Sequence, residues 1–428
     1  MRILMTLVLS AALLGESGNL ASAWAEGKGV ASALWTCARA DPACTGAVET
    51  GTELRPPLKR LWTVSGKDYE VKRVPLVGDK AVVTSRVTGG KRFVVVLDRD
   101  TGKEKWSHPT THHPVLSEDG KTVYLLSEGK LFALAIDTGQ ERWSTPIAER
   151  RAALACVSQG IIYQLTPGRE EYREVIARRE ADGKELWRFG HEGEVSYPCI
   201  GDSRVYLVTG DGVLHALDTK SRKNLWVNDK LQLRPGGWGV TSACLVYEDG
   251  RLLVQEGHYY FHTLIEGHGG GKATTVRLFC IDAANGKEIW RRGSLLLDRS
   301  PVVYHGVYYG LSGYNDFLAL DVKTGRLLWT THVGVFDEIY GVVYSCGPMV
   351  LANGVLYRVT TVTPFFHSKS QMLAIDAGTG KILWHGPEDP GCESRCTGLS
   401  YGDGKFFGSS RALDGIEAYA PDDSQRAH

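Results

Sequence analysis

Hydrophobic and polar positions alternate along most of this chain. Residues 120–134 read GKTVYLLSEGKLFAL, residues 203–217 SRVYLVTGDGVLHAL and residues 306–320 GVYYGLSGYNDFLAL. Each stretch pairs two runs of branched, leucine or aromatic residues across a turn containing Gly or Asn, which is the pattern of a β-hairpin. Helical spacing of apolar residues is scarce beyond the first 25 positions. A leading strand before each hairpin and a further strand after it predict a repeated four-stranded antiparallel sheet.

The fourth strand is announced by a decapeptide ending in tryptophan. It occurs seven times: LDRDTGKEKW (97–106), LAIDTGQERW (134–143), RREADGKELW (178–187), LDTKSRKNLW (217–226), IDAANGKEIW (281–290), LDVKTGRLLW (320–329) and IDAGTGKILW (375–384). An eighth tryptophan, Trp62 in LKRLWTV, lacks the preceding turn. The spacings between these tryptophans are 44, 37, 44, 39, 64, 39 and 55 residues, a period that marks propellers or solenoids. An early Asp can accept backbone N–H bonds and close an Asx turn. Gly at the sixth position (Gly102, Gly139, Gly183, Gly286, Gly325, Gly380) supplies a positive φ. Arg222 stands in that position in the fourth copy, which predicts a looser turn there. The tryptophans Trp62, Trp106, Trp143, Trp187, Trp226, Trp290, Trp329 and Trp384 are predicted to anchor one sheet on the next. Complete burial of one indole is worth roughly 4–6 kcal/mol gross, so packing alone accounts for the motif.

The chain ends supply the remaining sheet. Residues 404–420 (GKFFGSSRALDGIEAYA) hold two strands without a tryptophan strand, and Trp62 is a tryptophan strand without predecessors. Joining them removes exposed edges. The predicted fold is all-β: an eight-bladed β-propeller over residues 56–428, four antiparallel strands per blade, the last blade closed by the N-terminal strand around Trp62.

On these repeats the chain resembles the pyrroloquinoline-quinone (PQQ)-like repeat propellers. That family includes PQQ-dependent alcohol dehydrogenases and cofactor-free scaffolds of outer-membrane barrel assembly, so the resemblance implies the fold more firmly than an activity. For the enzymes it implies PQQ on the propeller axis, between a tryptophan and a disulfide of adjacent cysteines, beside a Ca²⁺ held by oxygen ligands. No two cysteines are adjacent here. Trp238, in PGGWGVTSAC (235–244), opens a strand as the stacking tryptophan does and is the one cofactor-binding candidate. The following QEGH (255–258) puts His258 where a calcium-binding Asn is wanted, and imidazole favours transition metals over calcium. Trp238 can equally open an inner strand and pack near the channel.

His258, His262 and His268, with Glu256 and Glu266, lie in EGHYYFHTLIEGHGGGK (256–272) and are the metal-ligand candidates. The context is a strand entering a Gly-rich loop, so the alternative is a long hairpin with surface histidines. GHGGGK is not a phosphate loop, because a strand rather than a helix follows Lys272. THH (111–113) would place its histidines on opposite faces if extended and is given no role. The longer repeats put extra residues at about 227–242, 258–275, 333–345 and 363–370, including TPFFHSK (364–370). These loops are where ligand or partner surfaces are expected.

Lys plus Arg and Asp plus Glu both number 49, so a basic footprint for nucleic acid is absent. Arg2, an apolar run to Leu14 and small residues at 21–25 form a secretory signal, predicted over residues 1–23. No cysteine near that site offers a lipid attachment, and twelve apolar residues are too few to span a bilayer. Residues 24–55 are then an N-terminal arm across one face, with Cys37 and Cys44 spaced for a local disulfide in an oxidising compartment. Cys392 and Cys396, in CESRC, are spaced likewise; a metal site there, with His385, is the alternative. The sequence therefore predicts an exported monomer, periplasmic or extracellular, that works without a cofactor as a scaffold for another protein. A PQQ- or metal-dependent oxidoreductase centred on Trp238 and the histidine cluster is the alternative.

Overall fold

In the computed structural model, eight sheets follow one another along the chain, each built from strands that turn back on themselves. The structure describes residues 34–38, 40–48, 54–66, 74–149, 151–167, 172–233, 243–256, 276–295, 301–311, 316–333, 341–345, 349–364, 369–386, 398–410, 415–422 and 424. The first blade runs Leu76–Gly78, Ala81–Thr88, Lys91–Asp98 and Glu104–Thr110 in spatial order. The next five blades repeat this order, starting at Val115–Leu116, Ala153–Ser158, Cys199–Gly201, Cys244–Glu248 and Val302–Tyr304. The seventh starts at Val350–Ala352 and the eighth at Gly398–Gly402. First strands of most successive blades approach one another, so they form the inner ring, and the tryptophan strands form the rim.

Closure is as the chain ends predict. Leu58–Ser65 pairs antiparallel with Gly415–Pro421, with Trp62 opposite Ala418. Arg60 reaches Glu417 across the seam at 3.0 Å. Because the fourth strand of the last blade comes from the N-terminus, unrolling the ring requires breaking this ladder. The seventh sheet is larger than its siblings. Gly341–Ser345 pairs with the far half of Val355–Pro364, and Ala47–Val48 adds a parallel strand at the inner edge.

The decapeptides form the predicted turns. Asp98 accepts the Thr101 N–H at 2.9 Å, and Asp321 and Asp376 accept those of Thr324 and Thr379 at 2.7 and 2.8 Å. Gly325 sits at φ +70°, and a β-carbon there would come within 2.8 Å of the Trp290 ring. The glycine is thus required twice, by the left-handed backbone and by the indole lying on it. Trp290 in turn donates its N–H to the Val322 carbonyl of the next blade at 2.8 Å. Trp62, Trp106, Trp187, Trp226 and Trp329 do the same to Arg99, Ile136, Thr219, Ala283 and Ala377. The indoles are half-buried, only Trp187 falling to 8% exposure, because the rim strand meets its neighbour on one side only. Full-burial energies therefore overstate each anchor. The looser turn expected at Arg222 is not found: Arg222 takes φ +62° and closes the same turn, its N–H on the Asp218 carbonyl at 3.0 Å.

Strand direction separates the two faces. Turns joining first to second and third to fourth strands fall on one face, here the turn face, and are short and uniform. Connections from second to third strand and from blade to blade fall on the other, the loop face. The long segments at 227–242, 258–275, 333–345 and 363–370 all leave from this loop face.

Candidate functional site

The inside of the inner ring carries a further segment. Residues 35–38 and 40–48 run around it in blade order, as a belt rather than as an arm across a face. Trp35 and Val77 of blade 1 exchange backbone bonds at 3.2 and 2.9 Å. Belt carbonyls then accept inner-ring N–H groups one after another. Thr36 takes Leu116 at 3.0 Å, Pro42 takes Ile200 at 2.8 Å, Ala43 takes Tyr247 at 3.0 Å, Thr45 takes Val303 at 2.9 Å and Gly46 takes Leu351 at 3.3 Å. First strands are sheet edges with unpaired N–H groups, and the belt supplies their acceptors. Pro42 has no N–H to offer and needs none in this role.

Among the described residues blade 8 receives no such bond, and blade 3 is skipped within the series. There the belt makes a tight turn, with the Thr36 N–H on the Ala40 carbonyl at 2.8 Å. Cys37 packs in one apolar cluster with Cys156 of the inner strand. Cys44 packs in another with Cys199, whose thiol meets the Ala43 carbonyl at 3.2 Å. Cys37 and Cys44 are both buried thiols in this structure. Burial first, and then the neighbouring Cys37 and Cys44, push the Cys156 thiol well above its usual range, which keeps it protonated and unreactive.

Among the described residues the belt borders a cavity toward each face. On the turn face a cavity of about 300 Å³ is bounded by Thr36, Asp41 and Thr45 of the belt and by Glu118, Glu248 and Asp249 of the blades. Among the described residues its lining holds four carboxylates and no basic side chain. Glu248 is 8% exposed, and desolvation, reinforced by Asp249 and Asp41, raises its pKa to about 7 against the hydrogen bonds from Gly306 and His305. Three of the carboxylates bind backbone. Glu248 accepts the Gly306 N–H at 2.8 Å and Glu118 that of Gln159 at 3.2 Å, each fixing a turn of the following blade. Asp41 accepts the Thr45 N–H at 3.1 Å and also the Thr45 hydroxyl.

On the loop face a second cavity, of about 340 Å³, has Ala38 of the belt in its wall. Ser85, His112, His113, Arg151 and Tyr197 bring polar groups to it, and among the described residues no carboxylate lines it. Ser85, 2% exposed, lies 3.2 Å from Nδ1 of His113 through its hydroxyl. The two histidines of THH lie at a bend rather than in a strand, so both border one cavity instead of pointing apart. Single-residue reading missed this grouping because Ser85 comes from the second strand of blade 1, His113 from the link to blade 2 and Arg151 from the link to blade 3.

Trp238, His258, His262 and His268 lie outside the described residues, as do Glu266, Phe365, Phe366, Cys392 and Cys396. Glu256 is described, and Arg277 engages both of its carboxylate oxygens. Among the described residues no group of three His, Cys, Asp or Glu side chains is placed to hold a metal ion, and no helix is long and apolar enough to cross a membrane.

Comparison with known proteins completes the picture. A family profile described as outer membrane protein assembly factor BamB matches residues 59–159, 151–278 and 275–405. The BamB of Moranella endobia is 24% identical over 226 residues, half of this chain and half of that protein. A tetrathionate hydrolase of Acidithiobacillus ferrooxidans is 22% identical over 404 residues, 83% of this chain and 71% of that one. The crystal structure of the quinohemoprotein alcohol dehydrogenase of Comamonas testosteroni superposes with a TM-score of 0.60 at 14% identity, covering 93% of this chain and 83% of that one. At that identity the likeness is one of fold.

Proposed function

The chain belongs to the outer membrane protein assembly factor BamB family of PQQ-like repeat propellers, and from that premise we propose that it is an exported, monomeric, non-enzymatic scaffold in the cell envelope. It binds a protein of the outer-membrane assembly machinery through the loop face and carries no cofactor. The observation that supports this reading is the belt. A flat quinone on the propeller axis needs an open bore and ring-stacking walls. Here the belt occupies the inside of the ring, with Trp35, Cys37, Ala40, Cys44, Ala47 and Val48 buried in the cores of the blades, and the sequence has no adjacent cysteine pair. The residues described around the axis do not fit PQQ. With the belt inside the ring, recognition falls to the faces, and only the loop face carries long connections.

The oxidoreductase alternative, with PQQ and calcium or a metal at Trp238, His258, His262 and His268, requires the belt to leave the axis. Co-purification of the full chain with the host's outer-membrane assembly machinery tests the scaffold reading. The expected result is a stoichiometric complex, with no dye reduction after addition of PQQ and Ca²⁺ and no hydrolysis of tetrathionate by the purified chain. Either activity, together with absence of a complex, overturns the reading.

A further inference from the structure

We propose that the loop-face cavity is a binding site for a small anion, a carboxylate or an inorganic oxoanion, held by Arg151 with Ser85 and His113. The inference stands apart from the scaffold reading and rests on three observations about charge and geometry.

The first is the lining. A cavity of about 340 Å³ is of the size that takes small ligands. It gathers a guanidinium, two imidazoles and the hydroxyls of Thr84 and Ser85, and among the described residues no carboxylate lines it.

The second is the state of Arg151 itself. Its neighbourhood is rich in ion pairs that leave it out. Glu149, two residues away, is engaged by Arg178 at 3.1 Å and by Arg188 at 3.0 Å. Arg188 also takes Glu174 and Glu185. Arg151 is exposed and makes no ion pair among the described residues. An arginine fork beside this cavity offers parallel N–H donors that match carboxylate and oxoanion geometry.

The third is the Ser85–His113 pair. A hydroxyl carries one proton and two acceptor positions. When Nδ1 of His113 carries a hydrogen and donates it to Ser85 Oγ, the serine O–H is released toward the cavity. The pair then presents a buried donor whose direction is fixed from behind. Tyr197 donates its own hydroxyl to the Ala155 carbonyl and so shapes the wall without competing for the ligand. The opposite cavity, with four carboxylates and no base among the described residues, is the internal contrast: donors gather on one side of the belt and carboxylates on the other.

Calorimetric titration of the full chain with sodium sulfate and, separately, sodium acetate, at ionic strength held constant with chloride, tests the proposal. Saturable binding of at least one probe is expected. Arg151→Gln should weaken it tenfold or more, Arg151→Lys should restore part of the loss, and Ser85→Ala should weaken it several-fold. Lys103→Gln, an exposed cation on the turn face, should leave the affinity unchanged. Sulfate binding without acetate binding identifies an oxoanion site, and the reverse a carboxylate site. The proposal is overturned if neither probe saturates, if Arg151→Gln binds as the wild type does, or if Lys103→Gln loses as much as Arg151→Gln.

Discussion

The turn-face cavity is lined by Asp41 of the belt and by Glu118, Glu248 and Asp249 of the blades; the loop-face cavity is lined by Arg151, His112 and His113. The first three of those carboxylates are engaged with backbone N–H groups of the belt or of neighbouring blades. Arg151 makes no corresponding ion pair among the described residues. The difference separates charge that builds the ring from charge available to a ligand, although both sets line cavities of similar size. Lining alone does not identify a site; what each polar group is already bonded to does.

The strongest way to break the comparison is to unseat the belt that borders both cavities. Trp35 is fully buried where the belt meets blade 1. Trp35→Ala should cost about 3–5 kcal/mol in denaturant unfolding, the usual range for emptying a large aromatic site. Trp35→Phe should cost clearly less, because the indole N–H has no partner among the described residues. Equal losses in the two variants would show that the belt is not packed as described.

A second variant sharpens the turn-face half. The Glu248 pKa is raised from 4.5 to about 7, so between those values the folded protein holds a proton that the unfolded chain has released. The stability this group permits is therefore full below about pH 4.5 and falls as pH rises through about 7, by about 3 kcal/mol. Glu248→Gln keeps an acceptor for Gly306 and removes the charge. Its stability should exceed the wild type by about that amount at pH 8 and match it at pH 4, measured as unfolding midpoints across pH. A constant offset would mean that Glu248 is solvated.

Smaller effects are expected at the rim turns on the same face. Gly325→Ala forces a β-carbon against the Trp290 ring at φ +70° and should cost about 2 kcal/mol. Arg222→Gly, at the one copy whose left-handed residue is not glycine, should gain about 1 kcal/mol, read as a rise in thermal midpoint. A loss at Arg222 would show that its guanidinium, 3.0 Å from the Arg188 carbonyl, outweighs the backbone cost.

The same contrast explains what could be read from the chain. The blades were legible because each is local: hairpins, Asx turns and the indole–glycine contact recur within about 40 residues and are written into seven decapeptides. The closure between Trp62 and Ala418 was legible by counting unmatched strands, and the PQQ-like repeat resemblance holds across residues 59–405. The belt was not legible. Its sequence, WTCARADPACTGAV, carries no alternation, and its partners are edge N–H groups of six blades spread from Val77 to Leu351, with no side-chain signature. Arg151, Ser85 and His113 escaped for a related reason, since converging loops and strands leave no spacing rule. His112 and His113 were visible as THH, but an extended backbone was the wrong assumption at a bend. Arg222 was misjudged because a non-glycine residue can hold a positive φ when the surrounding Asx turn fixes it.

The central claim is that the belt completes the inner ring, and amide hydrogen exchange tests it most directly. Val77, Leu116, Ile200, Tyr247, Val303 and Leu351 donate their N–H groups to belt carbonyls. In the native full-length protein these six amides should exchange as slowly as those in the middle strands of their blades. Exchange at the rate of open sheet edges would place the belt elsewhere and reopen the axis to a ligand.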